Sequence, residues 1–411
     1  MNTMTQRYRH ARALSEQLCE PLQVEDFVVQ PRAEVSPPKW HLAHTTWFFE
    51  TFLLQPHHNE YRLFNAHYPR LFNSYYKTQG DHWIQSERGQ LSRPTVQQVF
   101  DYRAHVDEQV LDTLDSGLTP EHLGIVETGI HHEQQHQELL LMDIKAILAC
   151  NPELPAYRPQ QPPACASLPL KYVEIAGGLP EFGVEPEAGF SFCNETPTHT
   201  RHLDDFLLAN RPVSNCEFAD FIADGGYQEP YLWKSDGWNW VQQQGITAPL
   251  YWHRDSNAWR EYTLHGDHPL DPNAPVCHIS WYEADAYACW ANARLPTEFE
   301  LELAYQRTGP SSHGFFEPNR LTPQLFQESS DFYSLRGNLW EWSGSPYISY
   351  PKYQRPKGAF GEYNQKFMAN QMVLRGGCLG TSKNHFRNTY RNFFYPQQRW
   401  AFTGFRLARN L

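Results

Sequence analysis

His132-Glu133-Gln134-Gln135-His136 sits in an apolar-periodic stretch, residues 123–149, and its reading decides the first half of the chain. Ile125, Val126, Ile130, Leu139, Leu140, Ile144, Ile147 and Leu148 recur at helical spacing, which predicts a buried helix. Residues four apart stack on one helix face, so His132 and His136 are presented together. Asp143 falls on the same stripe, whereas His131 and Glu133 are turned away from it. Two imidazoles one turn apart are how a helix offers two ligands to one metal ion. The plainer alternative is a pair of hydrogen-bonded core histidines.

The same pattern serves zinc hydrolases, with the glutamate as general base and a further ligand downstream. Here Gln137-Glu138-Leu139 follows His136, and the next glutamate, Glu153, lies in a proline-rich stretch rather than on a second helix. The downstream half of that signature is missing. A third ligand is better sought upstream, in Trp40-His41-Leu42-Ala43-His44-Thr45-Thr46-Trp47-Phe48, opened by Pro37 and Pro38. Proline suits a first helical turn. His44 shares a face with Phe48 and follows Trp40 by one turn. On the residues alone, His44 is equally readable as core or ligand.

The chain has 411 residues, long enough for two domains. Aromatic residues make up 15% of it, enough for ring-lined pockets as well as cores. A net charge of −12 with no basic run argues against nucleic acid or an anionic membrane as partner. The eight cysteines are scattered without a Cys-x-x-Cys pair, and neither a signal peptide nor a long apolar run is present. A soluble cytoplasmic protein with free thiols is the expectation.

Helical periodicity marks residues 6–17, 39–54, 95–115 and 123–149, enough for an antiparallel bundle with a metal site between facing helices. The irregular stretch 56–94 interrupts it, and long loops of this kind are usually functional. Pro152, Pro155, Pro159, Pro162 and Pro163 then make a stiff connector. The expected division is a helical domain at 1–150, a connector at 151–170 and a second domain at 171–411. Beyond the connector, short β-like runs alternate with turns. Two helices are predicted there, at 281–293 with Ser280 and Glu283 as capping box and at 297–308 with Thr297 and Glu300. The fold class is therefore α+β in two domains.

Several stretches together resemble the ergothioneine-type sulfoxide synthases. They are Ser36-Pro37-Pro38-Lys39-Trp40-His41-Leu42-Ala43-His44 through Glu50, Asn73-Ser74-Tyr75-Tyr76, His132 to His136, and Arg294-Leu295-Pro296-Thr297-Glu298. Further on come Gly337-Asn338-Leu339-Trp340-Glu341-Trp342, Leu374-Arg375-Gly376-Gly377, Thr389-Tyr390-Arg391-Asn392-Phe393-Phe394 and Gly404-Phe405-Arg406-Leu407-Ala408. The match runs in order along nearly the whole chain. It implies a DinB-like four-helix bundle followed by a formylglycine-generating-enzyme-like (C-type-lectin-like) domain.

By this resemblance His44, His132 and His136 hold iron(II), with O2 as co-substrate, and Glu133 is a buried polar residue rather than a base. The reaction implied joins a thiol to the imidazole C2 of hercynine and oxidises the sulfur to a sulfoxide. Tyr75 and Tyr76 take the part of proton donor, with Tyr363 the fallback. Gln135 and Asn392 would meet the substrate imidazole, and Phe393 and Phe394 would wall its quaternary ammonium, a cation that ring faces attract. Phe393-Phe394 resembles the branch that uses free cysteine, whose carboxylate Arg88 would bind in a planar fork. Gln85 stands where relatives carry a second arginine, which suits a hydroxyl-rich donor such as the selenosugar of the related selenoneine synthases. Cysteine is the favoured donor and the selenosugar the alternative, ahead of a zinc hydrolase. A formylglycine-generating oxidase would need a reactive cysteine pair near the C-terminus, and only Cys378 lies beyond residue 289.

Overall fold

The computed structural model describes residues 3–58, 60–309, 311 and 313–411. Two compact units emerge: the chain up to Tyr157 together with Pro356–Tyr363, and Arg158–Arg355 together with Asn364–Leu411.

The first unit is built on four long helices, α1 (Met4–Cys19), α2 (Pro38–Phe49), α3 (Val96–Ser116) and α4 (Pro120–Ala149). Their starts are written locally. Thr3 with Gln6 and Thr95 with Gln98 form reciprocal capping boxes on α1 and α3. Thr119 caps α4, whose first residue is Pro120, and Pro37-Pro38 opens α2. Every residue of α2 is buried, so it is the central helix of the unit. It runs on through a wide turn at Glu50–Leu54, where the buried Glu50 carboxylate accepts from Tyr61, Tyr102 and the Phe64 amide. Wide turns of this kind often mark functional sites. Gly129 lets α4 approach α2 closely: a Cβ there would stand 2.4 Å from the Phe49 ring.

A buried ionic hub ties the four helices. Glu133 on α4 accepts from Arg12 Nη1 at 2.7 Å and Ser15 Oγ at 2.7 Å on α1, and from Arg103 Nη2 at 3.1 Å on α3. Arg103 also donates to the Leu42 carbonyl of α2 at 3.2 Å. Burial alone would raise the Glu133 pKa, but Arg12 and Arg103 outweigh it and hold the carboxyl below its ordinary range. Removing one member of such a buried pair costs about 3–5 kcal/mol, because the partner charge is stranded.

The expected helical domain of residues 1–150 differs from the observed unit in two places. The first part of the connector packs with the helices, Tyr157 Oη donating to the Leu18 carbonyl at 2.6 Å. In addition, the distant segment Pro356–Tyr363 belongs to this unit. No periodicity or motif announces that segment; contacts with the helical unit set its place. Within the irregular 56–94 stretch, a short helix at Tyr68–Phe72 and tight turns at Lys77–Gln79 and Gln85–Gln90 are formed.

The second unit mixes small sheets with short helices. Strand Phe206–Ala209 lies between Tyr172–Ile175 and Ala408–Asn410, antiparallel to both. A second sheet runs in the order Asn392–Phe394, Met372–Arg375, Trp340–Pro346, Thr403–Gly404, the last pair parallel. A three-stranded meander covers Trp252–Asp255, Ala258–Thr263 and Gly266–Pro269. Both predicted helices form, at Trp281–Trp290 and Glu298–Thr308, with the expected capping boxes. Charged residues of the stretches that carry the resemblance pair inside the core. Arg375 pairs with Glu302, Arg391 with Glu298, and Arg406 with Glu341 between the buried Trp340 and Trp342. Gly376 and Gly377 carry φ of 100° and 75°, a region other residues rarely enter. Among the described residues, no helix is long and apolar enough to cross a membrane.

Candidate metal centre

The close approach of α2 and α4 brings the three expected ligands together. The donor nitrogens of His44, His132 and His136 all lie within 4.8 Å of one another. Two ligands at about 2.1 Å from one ion stand at most about 4.2 Å apart, so shifts of roughly half an ångström would close the set on a metal. Burial, and then the neighbouring His132, push the His44 and His136 pKa values well below the ordinary histidine range, and His132 falls to about 3. All three rings are therefore neutral near pH 7, the form that ligates.

Hydrogen bonding aims two of them. His44 Nδ1 donates to the Phe72 carbonyl at 2.5 Å, which leaves its Nε2 lone pair for a metal. Asp143 Oδ2 lies 2.9 Å from His41 Nε2, and His41 Nδ1 lies 2.9 Å from His136 Nδ1. Read outward from the carboxylate, His41 donates to Asp143 and accepts from His136, which frees His136 Nε2. Carboxylate-backed histidines of this kind fix ring orientation and raise ligand basicity. His132 is the test of fit. Its Nε2 faces His44 Nε2 at 3.2 Å, while its Nδ1 is buried with no partner. With the His44 proton held on Nδ1, a cation seated between the rings would take the Nε2 lone pairs of both His44 and His132, while His132 Nδ1 stays without a hydrogen-bond partner in either reading. Three neutral imidazoles converging within 4.8 Å are a donor set that fits a bound metal.

Rings enclose the cluster. Trp40 stacks on His44 at 4.5 Å and Phe48 lies 4.9 Å from His132. Tyr75 stacks on the fully buried Tyr76 at 4.7 Å, and burial holds the Tyr76 phenol well above its ordinary pKa. The Tyr363 ring stands 6.0 Å from His132 and 6.4 Å from Tyr75, and its hydroxyl donates to Gln135 Oε1. Glu133 belongs instead to the ionic hub and is not positioned as a general base.

Arg88 is set apart by its surroundings. Arg12, Arg103, Arg211, Arg336, Arg375, Arg391 and Arg406 are buried and each pairs with a glutamate. Arg88, also buried, has no carboxylate at ion-pair distance among the described residues. Its Nη1 donates to Ser36 Oγ at 2.8 Å, its guanidinium lies 3.3 Å from the Trp40 ring centroid, and its Nε is unpartnered. Burial lowers its pKa to about 9, against the opposing pull of Asp143.

Gln85 is not brought to the cluster. It is exposed on the tight turn, and its amide donates to the Glu34 carbonyl at 3.1 Å. Asn392, Phe393 and Phe394 form one strand of the second unit. Phe393 stacks on Tyr347 at 4.0 Å, Phe394 lies 5.0 Å from Trp400, and Asn392 Oδ1 accepts from the Phe393 amide at 2.8 Å. The sequence reading missed the His41–Asp143 support, although Asp143 on the ligand stripe was its visible sign.

Fold and site thus define a protein with a helical three-histidine unit followed by an α+β unit. Residues 7–140 match the DinB superfamily, and residues 159–330 and 322–411 match the sulfatase-modifying factor enzyme 1-like domain. The chain is 31% identical over 342 residues to a hercynine oxygenase of Mycolicibacterium smegmatis, covering 75% of this chain and 76% of the relative. A hercynine oxygenase of Mycolicibacterium thermoresistibile is 28% identical across 91% of this chain and 87% of its own length. The ergothioneine biosynthesis protein 1 of Schizosaccharomyces pombe is 28% identical over 54% of this chain and 28% of its own. The chain belongs to the hercynine oxygenase family, whose members are oxygen-dependent oxidoreductases.

Proposed function

We propose that the protein is an iron(II)- and O2-dependent sulfoxide synthase joining hercynine to cysteine. The observation that carries the reading is the cluster of three neutral histidines, one backed by the His41–Asp143 pair, in a chain of this family. Three nitrogen ligands leave three positions of an octahedral ion open, where a hydrolytic zinc site needs one. His44, His132 and His136 would hold the iron, which when bound supplies the one-electron chemistry that lets O2 react.

The balance needs no external reductant. The thiol S–H and the imidazole C2–H are lost, one oxygen atom of O2 stays on sulfur, and the other leaves as water with the two hydrogens. Arg88, a buried guanidinium with no carboxylate at ion-pair distance among the described residues, is suited to the cysteine carboxylate. That property favours an amino-acid donor over a sugar selenol. Tyr75, Tyr76 and Tyr363 offer phenol hydroxyls, that of Tyr76 held well above its ordinary pKa by burial, and such a group can return a proton as oxygen is reduced. Gln135, next to a ligand on the helix, is the proposed contact of the hercynine imidazole, and the rings of Phe393 and Phe394 are of the kind that suits a quaternary ammonium. Eight free thiols suit a reducing, cytoplasmic setting.

The test is anaerobic incubation of the protein with iron(II), hercynine and cysteine, γ-glutamylcysteine or a selenosugar in turn, followed by air and mass analysis. Hercynylcysteine sulfoxide as the main product supports the reading. Faster turnover of the selenosugar reassigns the donor, and peptidase activity with tightly held zinc overturns the iron assignment.

A further inference from the structure

Tyr75-Tyr76 and Tyr363 come from distant parts of the chain, yet one side chain spans the two segments. Glu362 precedes Tyr363 in the strap Pro356–Tyr363. Its carboxylate is buried and accepts from the Lys77 amide at 3.0 Å, the Thr78 amide at 3.0 Å and Thr78 Oγ1 at 2.7 Å. Lys77 and Thr78 directly follow Tyr76. From the other side, the buried Asn73 holds the same loop, Oδ1 accepting from the Tyr76 amide at 3.1 Å and Nδ2 donating to the Tyr76 carbonyl at 3.0 Å. The Tyr75–Tyr76 loop is thus gripped by Asn73, close in sequence, and by Glu362, some 285 residues away.

We infer that Glu362 is a positioning residue: it latches the strap onto the loop after Tyr76, so that Tyr363 and Tyr75 face the three-histidine site as one unit. Charge-assisted bonds to two amides and a hydroxyl make this latch stronger than neutral contacts would. The strap carries no helix or strand long enough to hold itself in place; its only regular element is the single turn Ala359–Glu362. Tyr363, next to Glu362 in the strap, stands beside His132 and Tyr75 and donates to Gln135, so a strap that shifts carries a side chain of the site with it. The inference about product formation rests on the proposed sulfoxide synthase reading, whereas the latch itself does not.

Full-length Glu362→Ala, Glu362→Gln and the milder Thr78→Val are compared with wild type in two measurements. The first is hydrogen–deuterium exchange of the metal-free protein. Glu362→Ala is expected to raise exchange at least about fivefold in both residues 74–80 and the strap, with α1 and α3 unchanged, Thr78→Val doing so more weakly. Unchanged exchange in either segment overturns the latch. The second, on iron-loaded protein, is C–S product formed per O2 consumed, with the cysteine KM. A drop of several-fold in product per O2, a KM within about twofold and partial rescue by Glu362→Gln are expected. Raised exchange with wild-type product per O2 overturns the positioning role. Absence of C–S product from wild type itself refutes the reaction assignment while the exchange result still judges the latch.

Discussion

Replacing Glu133 with glutamine separates two meanings of the His-Glu-x-x-His pattern. Glu133 is fully buried and accepts from Arg12, Arg103 and Ser15. Glutamine keeps the shape but loses the charge and turns an amide donor toward groups that are themselves donors. Both guanidiniums then lose their shared counter-charge, although Arg12 retains Asp107 at 2.7 Å and Arg103 retains the half-exposed Glu16 at 3.2 Å. Breaking a buried pair in this way costs about 3–5 kcal/mol. For a unit of this size each kcal/mol lowers Tm by about 2–4 °C, so a fall of roughly 6–20 °C is expected. The assay is a thermal melt, paired with metal content and turnover at a temperature well below the transition. One metal per chain and substantial remaining turnover are expected, because the carboxylate touches the helices and not the reacting groups. An unchanged Tm with turnover abolished would refute the reasoning and restore Glu133 as a general base.

Further outcomes follow from the site. His132→Ala or His136→Ala is expected to abolish stoichiometric iron binding, measured by elemental analysis after desalting. Asp143→Asn leaves all three ligands but weakens the support behind His136, and a 10- to 100-fold loss of metal affinity, about the range for such supporting groups, is expected by chelator competition. Arg88→Ala is expected to raise the cysteine KM by about one to two decades, since one charge-assisted bond is worth about 1.5–3 kcal/mol; Gln85→Arg, at an exposed side chain away from the cluster, is expected to leave that KM within about twofold, and steady-state kinetics checks the pair. Tyr75→Phe and Tyr363→Phe each remove one hydroxyl and are expected to divert turnover toward oxidised thiol with hercynine still bound, whereas full C–S yield in both would place the proton donor elsewhere.

Much of the fold was legible because it is written in local signals. The four helices of the first unit and two of the second carry apolar periodicity and Thr, Ser or Pro at their starts, properties that act within a few residues. The ligand pair His132 and His136 is of the same kind, since helical geometry alone sets its spacing. His44 was only half legible. On one helix it is a core histidine or a ligand, and the choice depends on how closely α4 lies against α2, which Gly129 permits.

Groups joined across long separations were legible only once the chain was folded. The Asp143–His41–His136 chain spans two helices, and the role of Glu133 emerges only when Arg12 and Arg103 are seen to surround it. Gln85 shows the converse: only the resemblance implies a substrate contact there, and the folded turn shows its side chain exposed and donating to the Glu34 carbonyl. The strap bearing Glu362 and Tyr363 has no periodicity, cap or motif to mark its place, because its position is set by partners near residue 77. Periodicity and capping follow from interactions within one or two turns of backbone and so can be read from neighbouring residues. A buried charge or a donor tyrosine is defined by what packs against it, and that is decided by tertiary structure.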